Sequence, residues 1–188
     1  MYLDRAELAK LAHALGKEDE ARRWEEKAAE LRDLIRKFHW SAKMGIYNDT
    51  KPADGLPGER ITPVMFWPMW VGVADAEQGA GAAKYLADPK HLATTWPMPC
   101  VSVSDPTFLP RNYWRGPTWV NLNWTAVRGL QRCGQTEVAE ALRVRTLDLV
   151  ARTPIIHEYY DPLAGDGLGS KNYGWTAALF IDLIMKPE

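Results

Sequence analysis

Apolar residues recur at helical spacing through much of the chain. Leu8, Leu11, Ala12 and Leu15 fall on one side of a predicted helix that opens at Asp4, where Asp4 and Glu7 have the spacing of a capping pair, and closes at Gly16. A second, amphipathic helix follows at once. Ala21, Trp24, Ala28, Leu31, Ile35 and Phe38 advance by threes and fours while Glu, Lys and Arg cover the other face. The short link between the two predicts an antiparallel helical hairpin.

Long and short connections then alternate. From Ser41 to Arg60 the residues Gly45, Asn48, Asp49, Pro52, Asp54, Gly55, Pro57 and Gly58 predict a long loop without regular structure. Thr62-Pro63 opens a helix through Val71 that Pro68 bends or shortens, and Asp75 to Leu86 forms another, stopped near Asp88-Pro89. His91 to Pro110, with four prolines, reads as an ordered loop. Helices are predicted from Thr118 to Cys133, ended by Gly134, and from Glu137 to Arg152, with Ala139, Leu142, Thr146, Leu149 and Val150 on one face. After a segment rich in Pro, Gly and Asp, a last helix runs from Trp175 to Met185 with Trp175, Ala178, Leu179 and Leu183 on one side. Nothing alternates with period two for long enough to predict a strand. The fold class is therefore all-α, a set of helical hairpins. The long connections carry the aromatics and carboxylates, so they are expected to gather at one end and form the site there.

Composition narrows the function. The 188 residues suit one helical domain, and a net charge of -1 gives no electrostatic case for nucleic acid or an anionic membrane. No apolar run approaches a membrane span, and no basic region followed by an apolar segment marks a secretory signal, so a soluble, cytoplasmic protein is expected. Cys100 and Cys133 are read as two buried thiols. No metal or cofactor motif is present. A zinc helix motif would need a second His where Asp161 stands, Pro99-Cys100 lacks a second Cys, and Gly165, Gly167 and Gly169 are followed by no phosphate-loop Lys. Nine Trp are many for this length, and an indole N–H needs a partner, so some should line a cleft; Trp24 and Trp40 are read as filling gaps between elements.

Two stretches carry the candidate chemistry. Arg111-Asn112-Tyr113-Trp114-Arg115-Gly116-Pro117-Thr118-Trp119, running on to Asn123-Trp124, groups aromatic planes with polar side chains, a composition suited to a wall that stacks sugar rings and bonds their hydroxyls. His157-Glu158-Tyr159-Tyr160-Asp161-Pro162 adds Glu158, the leading candidate for a reactive carboxylate, with an ordinary loop glutamate as the equal alternative. Arg115 is a partner for a carboxylate of substrate or protein, and Asn123 a ligand for a sugar or a neighbouring loop. Asp105 and Asp161 precede proline and read first as turn-formers.

These residues resemble a known family. Tyr113-Trp114-Arg115-Gly116-Pro117 with Trp119, Asn123-Trp124 and Gly129-Leu130, then Glu158 to Pro162, Gly165, Gly167-Leu168-Gly169 and Trp175-Thr176-Ala177-Ala178, are similar to the C-terminal half of the catalytic domain of glycoside hydrolase family 63, in its mannosylglycerate hydrolase-like branch. The resemblance implies a partial (α/α)6 toroid, with residues 1–188 forming one domain, and an inverting glycosidase for small α-mannosides or α-glucosides. It implies Glu158 as general base, and Tyr113, Trp114, Arg115, Trp119, Asn123, Trp124, Tyr159 and Trp175 around the sugar. It further implies that the general acid is an Asp from a segment that precedes the helix beginning this sequence. Asp105 and Asp166 are the loop acids that would have to replace it. The expected partners are a small glycoside or oligosaccharide and either a second copy or an N-terminal catalytic portion. The alternative is a catalytically silent carbohydrate-binding or oligomerisation module.

Overall fold

A computed structural model describes residues 1–51 and 53–185; Pro52 of the first long loop lies outside them. The helices are α1 (Tyr2–Ala14), α2 (Glu18–His39), α3 (Trp67–Trp70), α4 (Ala76–Ala87), α5 (Val120–Arg132), α6 (Thr136–Ala151) and α7 (Gly174–Met185). A 3-10 turn, Pro63–Phe66, leads into α3. The protein is mostly helical, as the periodicity predicts.

Four short strands among the described residues were not predicted. β1 (Trp40–Ser41) pairs antiparallel with β2 (Ile46–Tyr47), and β3 (His157–Tyr160) with β4 (Gly167–Lys171). Strands of two to five residues are too short for alternation to show, and their pairing partners supply the order.

The first hairpin departs from its predicted details. Helix α1 starts at Tyr2 with no side-chain cap, so Asp4 lies inside the first turn, and Glu7 bonds Lys10 rather than closing a capping pair. It buries Ala9 and Ala12 but leaves Leu8, Leu11 and Leu15 exposed, because its main packing partner is α2 alone. A capping box does form at α4, where Asp75 accepts from the Gln78 N–H and Gln78 accepts from the Asp75 N–H. Helix α2 turns Ala21 and Ala28 inward as its period requires; Trp24 is half-buried beneath Lys27 of its own helix, and Trp40 is half-buried edge-on to Tyr47.

Helix α5 is the centre of the core. It packs on α3, α6 and α7, burying Val120, Leu122, Ala126, Val127 and Leu130. Gly129 permits the close approach of α3, since a Cβ there would lie 2.9 Å from the Phe66 carbonyl and 3.0 Å from Met69 Cβ. Cys100 and Cys133 are buried and unpaired, and burial pushes the Cys100 thiol up to about 11.

The long connections are bonded to one another. Ser102 N–H donates to the Ile61 carbonyl at 2.9 Å, and Arg60 pairs with Asp105. Trp96 N–H donates to the Pro162 carbonyl at 2.8 Å, while Thr118 and Tyr160 exchange both backbone bonds at 2.8 and 2.9 Å. Thr118 is thus extended, bridged to Pro99 on one side and Tyr160 on the other, and α5 begins only at Val120. This junction brings the two candidate stretches together.

Candidate active site

The wall is built on a tight loop. Leu109 N–H donates to the Arg115 carbonyl and Arg115 N–H to the Asn112 carbonyl, both at 2.7 Å. Between them Tyr113 takes φ +32°, an unfavourable region for a bulky residue. Its carbonyl accepts the Trp119 indole N–H at 3.0 Å, which pins the loop over α5. The rings then stack in order. Trp114 lies flat on Trp119 with centroids 4.0 Å apart and an interplanar angle of 6°, and Tyr159 stacks on Trp119 at 4.8 Å. Tyr113 stands edge-on to all three.

Trp119 is the buried middle of that stack, 1% exposed, whereas Tyr113 and Trp114 each keep 48% of their surface open. Beside them an open depression of about 560 Å³ is lined by Leu109, Pro110, Arg111, Asn112, Tyr113 and Tyr159. Arg115 is exposed, and its side chain makes no hydrogen bond or ion pair among the described residues. The surface offered to a ligand is therefore two half-open rings, with the exposed Arg115 following Trp114 in the chain.

Glu158 comes from β3. Its carboxylate accepts the Ser170 N–H at 3.1 Å, and its carbonyl accepts the Thr176 hydroxyl at 3.2 Å, tying the strand to β4 and to α7. The β3–β4 register shifts between His157 and Tyr159, and Gly169 at φ +69° absorbs the extra residue. A Cβ on Gly169 would lie 2.6 Å from Tyr159 Cε1 and 2.7 Å from Glu158 Oε2, so the carboxylate and the wall meet over this glycine. Burial raises the Tyr159 phenol above its usual range, and the charge of Glu158 and then Tyr113 add to it. Trp175 follows at the start of α7, half-exposed, with its ring 6.3 Å from Tyr173.

Not every expected wall residue reaches the wall. Asn123 has no exposed surface; its Oδ1 accepts the Met98 N–H at 3.1 Å, and its Nδ2 donates to the Pro97 carbonyl and Thr146 hydroxyl, both at 2.8 Å. It holds the Pro97 corner from behind, its polar atoms already occupied. Trp124 belongs to a second cluster, edge-on to Trp70 at 5.5 Å with its N–H donated to Asp182. One residue of helical rotation separates the directions of Asn123 and Trp124, which is why neighbours in sequence face different packing partners.

The other acids have structural tasks. Asp105 accepts the Thr107 N–H and hydroxyl, and although burial opposes its charge, these bonds and Arg60 hold it below the ordinary carboxylate range. Asp161 accepts from Leu163 and Ala164 as the turn-former its proline suggested. Arg111, to which the sequence alone assigns no separate role, spans Asp161 and Asp166 at 2.8 Å each and so joins the wall loop to the turn behind Glu158. The opposite charges of Arg111, which opens the first motif, and Asp161, near the end of the second, were the available signal. Among the described residues no group of three or more His, Cys, Asp or Glu gathers as a metal site, and no helix is long and apolar enough to cross a membrane.

Comparison with known proteins places this arrangement. Residues 1–176 match the family described as the mannosylglycerate hydrolase MGH1-like glycoside hydrolase domain. The mannosylglycerate hydrolase of Rubrobacter radiotolerans is 32% identical over 183 residues, covering 96% of this chain and 41% of that protein. The glucosylglycerate hydrolase of Mycolicibacterium hassiacum is 34% identical over 125 residues, 64% of this chain and 28% of that protein. The crystal structure of the GH63 mannosylglycerate hydrolase from Thermus thermophilus in complex with glucose superposes with a TM-score of 0.82 at 28% identity, over 96% of this chain and 45% of that one. The chain spans less than half the length of these relatives. It belongs to the mannosylglycerate hydrolase MGH1-like glycoside hydrolase family, within glycoside hydrolase family 63, and corresponds to a C-terminal region of those helical-toroid enzymes.

Proposed function

We propose that this chain is the base-bearing part of an inverting glycoside hydrolase for small α-mannosides or α-glucosides such as mannosylglycerate and glucosylglycerate. The observation that carries the reading is Glu158: its carboxylate is oriented by one backbone N–H and converges with Tyr159 on Gly169, beside a half-open aromatic wall. In the reaction Glu158 takes a proton from a water whose oxygen attacks the anomeric carbon, while the glycosidic oxygen leaves with a proton from a second carboxyl group. Inverting pairs stand about 6.5–9.5 Å apart to admit that water. Tyr113, Trp114 and Trp175 stack the sugar, with Trp119 and Tyr159 backing the stack, and Arg115 pairs with the carboxylate of a glycerate group. Asn123 holds the Pro97 corner and Trp124 packs on Trp70, so neither is assigned to the sugar.

The second carboxyl group comes, in this reading, from an N-terminal portion of the catalytic unit, and the cytoplasm, which keeps thiols such as Cys100 and Cys133 reduced, is the place of action. The test is hydrolysis of mannosylglycerate and glucosylglycerate followed by proton NMR of the first-formed anomer. Turnover with inversion that Glu158→Gln removes is expected; undiminished turnover in that variant sinks the base assignment.

One observation favours a second reading, a silent sugar-binding module. Asp105, Asp161 and Asp166 are all engaged in turns or ion pairs, leaving Glu158 without a second free carboxylate among these loop acids. Calorimetric titration with the same two glycosides separates the readings, since saturable binding without turnover, in the presence of any N-terminal portion, supports the module alone.

A further inference from the structure

A half-open tryptophan also stands outside the wall. Trp67, the first residue of α3, keeps 46% of its surface exposed and meets Trp70 edge-on at 6.2 Å. Beside it, where the end of α2, strand β2 and the 3-10 turn come together, lies a pocket of about 210 Å³. Ile35, Val64 and Pro68 give it aliphatic sides, and His39 and Asp49 bring the polar groups. None of these residues lines the depression beside Tyr113.

The polar groups are held by a frame of their own. Asn48, which is buried, donates its Nδ2 to the Gly58 and Arg60 carbonyls at 3.0 and 2.7 Å and accepts the Asp49 N–H on Oδ1 at 3.0 Å. The Asp49 carbonyl accepts the Gly58 N–H at 2.6 Å, so the backbone of Asp49 is fixed on both sides. Its carboxylate makes no hydrogen bond or ion pair among the described residues. His39 Nδ1 lies 3.0 Å from the Asn48 carbonyl. A carbonyl only accepts, so Nδ1 carries the ring proton, and Nε2 of the neutral ring is an acceptor without a partner among the described residues.

One aromatic face, aliphatic sides and two unoccupied acceptors select the ligand. A pyranose lays its apolar face on an indole and donates adjacent hydroxyls to a carboxylate. The same carboxylate would attract an organic cation, but aromatic cages close several rings around such a charge. Here the other ring of the lining, Tyr47, is buried with its hydroxyl given to Gln78, which leaves a single open ring. The pocket is smaller than the roughly 300 Å³ at which drug-sized sites begin, and so suits one sugar ring.

We propose that this pocket is a second carbohydrate site, taking one neutral hexopyranose ring with Trp67 beneath it, Asp49 accepting two adjacent hydroxyls and His39 Nε2 a third. It needs no reaction at Glu158 and stands under either reading of that residue.

Methyl α-mannopyranoside and methyl α-glucopyranoside are titrated into the isotope-labelled protein, with the histidine ring nitrogens and indole N–H signals followed by NMR. A saturable shift of His39 Nε2 and of the Trp67 indole N–H is expected, and Trp114→Ala, which opens the wall, should leave it in place. Asp49→Asn removes a charged acceptor and should weaken this binding at least about tenfold. Trp67→Ala should abolish it. Because the Asp49 carboxylate is exposed and unbonded, Asp49→Asn should melt with wild type and keeps the test valid if Trp67→Ala unfolds. His39 and Trp67 signals that stay still with both glycosides, a shift indifferent to Asp49→Asn, or one produced by choline in place of the glycosides would each overturn the proposal.

Discussion

Glu158 and Gly169 occupy adjoining space so tightly that a single methyl on the glycine would stand 2.7 Å from Glu158 Oε2 and 2.9 Å from its Cβ. The glycine also needs φ +69°, which an L side chain adopts only at a cost of about 1–2 kcal/mol. The carboxylate is therefore placed by a bulge in β4 as much as by its own strand. Gly169→Ala is expected to lose about 2–4 kcal/mol in urea unfolding and to displace Glu158. Gly134→Ala shares the positive φ but meets nothing within 4 Å, and should lose about 1–2 kcal/mol only. Equal losses would show that the contact with Glu158 carries no weight.

The stacked pair Trp114 and Trp119 should separate stability from binding. Trp119→Ala empties the middle of the stack and is expected to cost about 3–5 kcal/mol. Trp114→Ala, at the half-open end, should cost less than about 1.5 kcal/mol yet weaken glycoside binding, with loss of the coupled-indole band in circular dichroism. Thermal melts and titration calorimetry on both variants check this.

Asn123→Ala is expected to act on folding. It orphans the buried Met98 N–H and Pro97 carbonyl, a loss of at least about 2 kcal/mol. Affinity for a sugar measured on the folded fraction should stay within twofold of wild type; a larger drop would return Asn123 to the ligand-contacting set.

Arg111 links the wall loop to the Asp161 turn. Arg111→Met leaves the buried Asp161 carboxylate without its cation and should lower the melting temperature by about 2–6 °C. Arg111→Lys should recover part of it. Identical melts for Met, Lys and wild type would mean that the bridge is solvent-screened and idle.

His13 gives the first hairpin a pH dependence. Its Nδ1 meets Glu18 at 2.9 Å and its Nε2 meets Glu25 at 3.0 Å, and the Glu25 bond foremost raises it above the ordinary 6.5. A raised folded-state value means the imidazolium clamp is fully present below pH 6.5 and is lost as the pH climbs through the raised value. Amide exchange in α1 should accordingly quicken from pH 6 to 8 beyond its intrinsic base catalysis, and His13→Gln should abolish the excess.

Much of the helical frame was legible in the residues. The span from Ala21 to Phe38 follows from its period, and Gly16 and Gly134 end their helices with φ +69° and +76° because a side chain there would be strained. Asp161-Pro162 reads as a turn and is one. The clustering of aromatics and carboxylates in the long connections anticipated that these would meet, since polar groups and indole N–H donors have to find partners somewhere at the rim of an apolar core.

What the residues alone determined, then, is which segments coil, where they stop, and which side chains are too polar to sit idle in a core. What the tertiary structure decided is which of them face the same space. Asn123 and Trp124 are adjacent in sequence, yet one is locked behind the Pro97 corner and the other joins Trp70 and Asp182. Tyr160 of β3 finds Thr118, far from it in the chain, and Gly169 of β4 yields to Glu158 across the hairpin, contacts that no local period records. The open side of α7 carries as many apolar residues as the side it buries. Periodicity records the direction in which a side chain leaves a helix, but burial depends on what packs against that side, and that is a property of the assembled elements.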